Sequence, residues 1–240
     1  MFLYSFYNHT INSTILSKIT SIATSTHAYG YMQDDLYVFA DAVYSKDATD
    51  SRKLKFLYRH SGIHKRYSVL EDYGLLPSER NFFSKNENLE PFPDLEKRML
   101  LYNQTSVDLS VKAINDCIVG KIDRQNITHL ITVSCTGMSA PGLDLQIMEA
   151  MSLSPNLQRT SVNFMGCYAA IHGLKLANAF CNTTPDANVI VVCTELCTLH
   201  FQKENTENNI LSSLLFSDGC GAMLIQNNSE AKGINLEHFF

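Results

Sequence analysis

The sequence has no excess of positive charge and no long apolar run. Its 19 lysines and arginines stand against 24 aspartates and glutamates, a formal net charge of −5, so it carries no basic stripe for a nucleic acid. No run of 18 apolar residues predicts a transmembrane helix. Residues 1–18 lack the basic and apolar segments of a signal peptide. We therefore expect a cytoplasmic protein with no membrane span and no nucleic-acid partner.

The pattern of the seven cysteines also excludes a disulfide framework. Their number is odd, most lie inside apolar runs, and the chain has 240 residues, whereas disulfide frameworks are typical of small secreted domains. Cys193 and Cys197 are the only closely spaced pair, and the sequence has neither a second such pair nor a histidine at zinc-finger spacing. We expect free thiols in a reducing compartment, with no metal and no bound cofactor.

Four near-continuous apolar runs predict strands that are buried on both faces. Stretches with helical periodicity lie between them, and one begins with a serine that suits an N-cap. Alternating strands and helices indicate an α/β fold, a mostly parallel sheet with helices on both faces. Residues 33–97 are rich in charge and aromatics, and we expect them to lie over the sheet as helices and loops. The predicted strands are His129–Cys135, Thr160–Met165, Asn188–Leu196 and Gly221–Gln226; the predicted helices are Ser106–Val119, Gly142–Leu153 and Ala169–Cys181.

Cys167 follows an apolar strand and a glycine and comes directly before a helical pattern. The free N–H groups and the positive end of a helix starting there would favour a thiolate. The same N–H groups would stabilise the oxyanion of acyl transfer. Cys167 is therefore a candidate nucleophile, although a free cysteine in this setting is also common as a small buried hydrophobic residue.

Three other strand ends carry residues suited to a binding pocket. We expect them to meet at one edge of the sheet, where ligands bind in α/β folds. The alternatives are structural, because Asp218-Gly219 suits an ordinary turn and Phe216 suits a core. The three strand ends with these candidate pocket residues are "SCTGMSAPGLDLQ", "CTELCTLHF" and "LLFSDGCGAMLI".

These runs, together with "VNFMGCYAAIHGLKLAN", resemble the N-terminal half of the chalcone and stilbene synthase family, the type III polyketide synthases, in a bacterial-like form. The resemblance extends from "ITSIATST" through "FLYRHSGIHKRY" and is densest over residues 128–225. It implies that residues 1–240 are the N-terminal domain of a thiolase-like fold whose C-terminal half is absent. It also implies an acyltransferase that is a homodimer when complete.

The resemblance implies a role for individual residues. Cys167 matches the cysteine that takes an acyl group from a starter acyl-CoA before condensation with malonyl-CoA. Phe216 matches the gatekeeper between the CoA tunnel and the cavity. The matches to cavity-lining positions are Cys135, Thr136, Cys197 and His200, and the basic residues that match the binding site for CoA phosphates are Lys53, Lys55 and Arg59. A solvated helix face remains the alternative for the three basic residues.

The family's catalytic histidine and asparagine belong to the C-terminal half, and no segment of this sequence matches them. His172 is five residues from Cys167 on the same predicted helix and therefore points to a different face. Three explanations stay open: a fragment of a normal synthase, one chain of a split enzyme, or a non-catalytic pairing or binding subunit. Enzymes like β-ketoacyl-acyl carrier protein synthase III or hydroxymethylglutaryl-CoA synthase are the alternatives within the same fold.

Overall fold

The computed structural model describes residues 17–228, 230–237 and 239 of the chain. Most of the segment on which the absence of a signal peptide was predicted therefore lies outside the described residues. The strands are β1 (Lys18–Ser25), β2 (Tyr29–Met32), β3 (Lys65–Ser68), β4 (His129–Ser134), β5 (Gln158–Asn163), β6 (Asn188–Leu196), β7 (Asp218–Gln226) and β8 (Ile234–Asn235), and the α-helices are α1 (Gln33–Tyr44), α2 (Ala48–His60), α3 (Leu95–Ile118), α4 (Leu143–Ala150), α5 (Ala169–Thr183) and α6 (Glu207–Leu215).

A six-stranded mixed sheet in the order β5-β4-β6-β7-β1-β8 forms the centre of the fold. The strands β5, β4 and β6 pair in parallel, while β7 is antiparallel to both β6 and β1. It follows that β5, β4, β6 and β1 run in one direction, and β7 and β8 run in the other. The predicted mostly parallel sheet is confirmed in strand direction, since four strands run one way and two the other, although three of the five strand pairs are antiparallel.

Helices cover both faces of this sheet, as predicted. The long helix α3 packs against β1, β6 and β7 on one face, and α5 packs against β4, β5 and β6 on the other. Two separate clusters of buried apolar side chains result. All six residues of β4 are buried, which explains why its sequence shows an apolar run instead of an alternation.

The boundaries of some elements differ from the predictions. Helix α3 starts at Leu95, eleven positions before the predicted serine cap, because the Asp94 carboxylate accepts a hydrogen bond from the Lys97 N–H at 2.8 Å. Ser106 is therefore an interior helical residue. Strand β5 ends at Asn163, because the chain turns into the left-handed region at Phe164 (φ +58°). Strand β7 starts at Asp218, three residues earlier than predicted.

Residues 33–97 form more than the predicted helices and loops. Besides α1 and α2, the described chain there contributes strand β3, which pairs antiparallel with β2 in a separate two-stranded sheet. Strand β1 lies inside the main sheet, and the sequence pattern did not identify it. No helix in the described part of the chain is long and apolar enough to cross a membrane.

A glycine allows α5 to approach the sheet closely. A Cβ atom added to Gly173 would lie 2.9 Å from Cγ1 of Val191 and 3.4 Å from Cγ2 of Val133. Both valines are buried in the strands beneath the helix. The absence of a side chain at Gly173 therefore lets α5, the helix that begins just after Cys167, pack closely on β4 and β6.

We expect Gly173→Ala to lower the free energy of unfolding by about 1–3 kcal/mol because it overpacks this contact. An ordinary Gly→Ala change inside a helix has the opposite sign, a gain of about 1 kcal/mol. Urea denaturation measures the free energy of unfolding of the variant and of the native chain. Gly221→Ala in strand β7 is the control for a glycine with open space around it, because a Cβ there meets nothing within 4 Å and Gly→Ala inside a strand is also expected to stabilise. A stabilised Gly173→Ala variant would contradict this account of the packing.

Candidate active site at the strand ends

A cavity of about 620 Å³ lies where β4 and β6 end and α5 begins. Its wall combines strand ends with the inner faces of α1 and α2, the two-stranded sheet of β2 and β3, and the end of α6. The sequence-predicted residues that line it are Cys135, Thr136, Cys167, Cys197, His200 and Phe216. The structure therefore brings together the predicted nucleophile, the predicted gatekeeper and all four predicted wall positions.

Cys167 lies in a single 3₁₀ turn, Gly166–Tyr168, which leads directly into α5. Gly166 has φ +66°, a conformation that residues with a Cβ rarely adopt. This turn presents Cys167 as an exposed side chain at the cavity. The Tyr168 side chain makes no cap hydrogen bond to α5, and the Ala169 N–H, the first of the helix, donates to the Gly166 carbonyl within the turn. This geometry is the expected strand-to-helix placement, and Cys167 is exposed where the alternative predicted a buried thiol.

Glu195 joins the ends of β4 and β6. Its carboxylate accepts the Cys135 N–H at 2.8 Å and the Thr136 hydroxyl at 2.6 Å. The Thr136 Oγ1 in turn accepts the Leu196 N–H at 2.8 Å. Cys135 and Thr136, which follow β4, are thus held by hydrogen bonds to the end of β6.

Burial raises the pKa of the Glu195 carboxyl, although its hydrogen bonds with Thr136 and Cys135 act in the opposite direction. Glu195 lines the cavity and was not among the predicted site residues. A signal for it exists in the sequence, because it is the one charged residue within the otherwise apolar run "NVIVVCTEL". A carboxylate in a buried strand needs partners, and here they are the backbone and side chain of the neighbouring strand end.

His200 uses both ring nitrogens for contacts in the wall. Its Nε2 lies 2.7 Å from the Thr136 carbonyl oxygen, and its Nδ1 lies 3.4 Å from Nη1 of Arg98. A carbonyl only accepts and a guanidinium only donates, so Nε2 carries the proton and Nδ1 accepts. Among the described residues His200 is the single histidine that lines the cavity, and its proton is directed at the backbone.

The two thiols contributed by β6 and the turn after it differ from Cys167 in their surroundings. Burial raises the pKa of Cys193 and of Cys197 to about 12, and the charge of Glu195 adds to the rise in both. At neutral pH they are therefore thiols. Cys197 occupies the predicted wall position, whereas Cys193 was not among the predicted site residues.

The three predicted CoA-binding residues lie on the outside of α2. Lys53, Lys55 and Arg59 are exposed, and none of them lines the cavity. Arg59 forms an ion pair with Asp34 at 3.2 Å, and the Lys55 ammonium lies 5.8 Å from the ring centre of Tyr37. The buried face of the same helix reaches the cavity through Tyr58. The cationic side chains therefore stand on an element that borders the cavity, on its solvent face.

His172 does not line the cavity. Its ring stands edge-on to the ring of Tyr168 at 4.8 Å, on the exposed side of α5. This position agrees with the expectation that it points away from Cys167. Among the described residues no group of three or more histidine, cysteine or acidic side chains is arranged to hold a metal ion.

Asp218 has a different role from the ordinary turn that its sequence suggested. It is the first residue of β7 and is 4% exposed. Its carboxylate accepts the N–H groups of Val69 at 2.7 Å and Thr198 at 2.8 Å, and the Thr198 hydroxyl at 2.6 Å. Burial raises its pKa to about 6, although these hydrogen bonds oppose the rise. Asp218 therefore fixes two segments of the cavity wall.

Comparison with known families gives a match over residues 12–229 to the N-terminal domain of chalcone and stilbene synthases. The chain is 35% identical over 132 residues to the alpha-pyrone synthesis polyketide synthase-like Pks18 of Mycobacterium tuberculosis, which covers 55% of the chain and 34% of Pks18. It is 29% identical over 179 residues to type III polyketide synthase C of Arabidopsis thaliana, covering 72% of the chain and 44% of the relative.

The solved structures show the same fold. The C-terminal type III polyketide synthase domain of Steely1, a type I/III hybrid from Dictyostelium, superposes with a TM-score of 0.80 at 25% identity, over 89% of the chain and 57% of the solved domain. The predicted thiolase-like fold is confirmed. The chain spans about half the length of these relatives, as the resemblance to an N-terminal half had implied.

Asp218 makes the stability of the fold depend on pH. Its pKa is higher in the fold than in the unfolded chain, so its contribution is fully present below about pH 4 and is lost as the pH rises through about 6. Asp218→Asn cannot titrate. We expect the stability of the native protein, relative to this variant, to fall by about 3 kcal/mol between about pH 4 and pH 7, as measured by urea denaturation at each pH.

Thr198→Val is the companion variant for this measurement. It removes the hydroxyl that donates to the Asp218 carboxylate at 2.6 Å, so the loss of stability should move to higher pH. A difference between the native protein and Asp218→Asn that stays constant across this range would show that Asp218 is ionised alike in both states.

Proposed function

The chain belongs to the chalcone and stilbene synthases, and we propose that it carries the acyl-binding part of a type III polyketide synthase, with Cys167 as the residue that is acylated. The observation that carries this proposal is the position of Cys167. It is an exposed thiol on a glycine-dependent turn, at the N-terminus of a helix and at the wall of a largely apolar cavity.

The proposed chemistry begins with transfer of a starter acyl group. The Cys167 thiolate attacks the thioester carbonyl of an acyl-CoA, a new C–S bond forms, and CoA leaves as its thiolate. Backbone N–H groups of the turn that carries Cys167 and leads into α5 stabilise the oxyanion of the intermediate. A malonyl-CoA unit then loses CO₂, and its carbanion attacks the acyl carbonyl and releases Cys167. The cavity of about 620 Å³ is in the size range of small-molecule sites.

The condensation step needs more than the described residues supply. Decarboxylation requires donors for the developing enolate, and His200, the one described histidine in the wall, already uses both nitrogens. We propose that the histidine and the asparagine of the family come from a C-terminal half, and that the complete enzyme is a homodimer. The chain described here would then accept an acyl group and depend on that half for condensation.

The phosphates of CoA are proposed to bind at the solvent face of α2, through Lys53, Lys55 and Arg59. The position of these residues supports this proposal, because α2 borders the cavity through Tyr58 and exposes the three cations on its other side. Arg59 must exchange its ion pair with Asp34 for such a contact. That ion pair is exposed and costs little to exchange.

A non-catalytic binding subunit is the second candidate function, and the engagement of both His200 nitrogens favours it. The two functions differ at Cys167, which only the first one needs as a nucleophile. Acyl-carrier-protein-dependent condensing enzymes are a further alternative. To distinguish a CoA-dependent enzyme from a carrier-protein-dependent one, the same acyl group is offered as a CoA thioester and as a carrier-protein thioester. We expect faster transfer from the CoA thioester.

We expect iodoacetamide to modify Cys167 before the other cysteines of the native chain, as measured by mass spectrometry of its peptides. Cys167 is exposed, while Cys193 and Cys197 have pKa values of about 12 and are thiolates to only roughly one part in 10⁵ at pH 7. The denatured chain is the control, and there all seven should react alike. Equal reaction of all seven in the native chain would contradict the nucleophile assignment.

Incubation with an acyl-CoA tests transfer itself. The expected result is a mass increase equal to the acyl group on the peptide that contains Cys167, and slower alkylation of that residue. Cys135→Ala is the matched control because Cys135 lines the same cavity, and it should keep the adduct that Cys167→Ala loses. An adduct that persists in Cys167→Ala, or an adduct found in no variant, would refute the acyltransferase proposal.

A further inference from the structure

We propose that Arg66 is a positioning residue that sets the aperture of the cavity by fixing the backbone of Phe216. The inference rests on the proposed function, because it takes Phe216 as the gatekeeper. Arg66 lies on β3, far from Phe216 in sequence, and was not among the predicted site residues, although it falls within the run "FLYRHSGIHKRY". It would act through the position of Phe216 and so influence which acyl groups enter.

The first step concerns the carbonyl groups at the end of α6. The last carbonyls of a helix have no partner within the helix and need one when they are buried. Nη1 of Arg66 donates to the carbonyl oxygens of Ser213 at 2.6 Å and of Phe216 at 2.7 Å. Nε2 of Gln33 donates to the carbonyl of Leu214 at 3.0 Å. Two side chains from outside the helix therefore terminate it and hold the residue that follows.

The second step concerns the orientation of these donors. Nε of Arg66 donates to Oε1 of Gln33 at 2.8 Å, so the two side chains form one unit. Arg66 is 7% exposed and Gln33 is 5% exposed. A buried guanidinium is costly unless it is well paired, and here the negative end of α6 provides the compensation. The N–H groups that Arg66 and Gln33 direct at the end of α6 keep these acceptors only while the end of the helix stays in its present position.

The third step is the attachment of the next two residues to the same segment. The Tyr67 N–H donates to Oγ of Ser217 at 2.9 Å, and this hydroxyl lies 2.9 Å from the Tyr67 carbonyl oxygen. The Val69 N–H donates to the Asp218 carboxylate. Residues 66, 67 and 69 thus hold residues 216, 217 and 218 in order. We name this set of contacts the β3 clasp.

The fourth step is the contrast between the backbone and the side chain of Phe216. Its carbonyl is held by a buried guanidinium, while the residue itself is 48% exposed and lines the cavity. With its backbone held in this way, the Phe216 ring can rotate about its side-chain torsions while its Cα stays in place. The clasp therefore limits the range of openings, and a broken clasp would admit positions that the native chain excludes.

Fluorine NMR of the full chain tests this inference. 4-Trifluoromethylphenylalanine is incorporated at position 216, and the resonance is recorded without any ligand. We expect one narrow resonance for the native chain. Arg66→Met should broaden or split it because it removes the donors at the Phe216 and Ser213 carbonyls. Arg66→Lys should give an intermediate spectrum, since an ammonium can replace some of these bonds.

Arg80→Met is the matched control. Arg80 is also buried, at 5% exposed, and its guanidinium stacks over Phe39, but it makes no hydrogen bond to the described residues of α6. Its loss should leave the fluorine resonance narrow. A folded Arg66→Met chain with the native spectrum would refute the inference, and so would equal broadening in Arg80→Met.

Gln33→Leu gives a milder variant in case Arg66→Met does not fold. It removes the acceptor of the Arg66 Nε–H and the donor at the Leu214 carbonyl, so a smaller change in the same direction is expected, and an unchanged spectrum would then refute the inference. The readout is independent of acyl transfer. A failed acylation of Cys167 would overturn the proposed function, while the fluorine spectrum would still report whether Arg66 fixes residue 216.

Discussion

The cavity depends on how two neighbouring parallel strands are joined where their pairing ends. Strands β4 and β6 pair side by side, and beyond their ends the chains must separate to leave space for a ligand. The carboxylate of Glu195 bridges this opening by accepting the N–H of Cys135 and the hydroxyl of Thr136. A side chain therefore continues the connection that backbone hydrogen bonds make within the sheet. The cavity wall is rigid on this side because a buried acceptor with several donors has few alternatives.

The strand that carries Glu195 also explains what was predictable. Strand β6 was predicted with its observed ends, Asn188 and Leu196, because a nine-residue segment with six apolar residues in an α/β pattern has few other interpretations. The strand ends then located Cys135, Cys167 and Cys197 at one edge. Local pattern and sheet geometry were sufficient for this part of the site.

Contacts between distant parts of the chain were not predictable in this way. The sequence of β3, four residues with two basic ones, shows no strong strand signal, yet it pairs with β2 and holds the segment before β7. Asp218 resembled a turn residue because Asp-Gly is frequent in turns, and its donors come from Val69 and Thr198. Strand β1 was missed because its half-buried residues show neither clean alternation nor a continuous apolar run.

Four cysteines line one cavity, and the difference between them has a chemical consequence. A thioester passes readily from one sulfur to another when the second sulfur is a thiolate. Cys193 and Cys197 are kept as thiols, since burial raises their pKa to about 12. An acyl group on Cys167, as proposed above, would therefore not pass readily to Cys193 or Cys197. The cavity wall can thus contain two half-buried sulfur atoms that do not take up an acyl group held by a neighbouring cysteine.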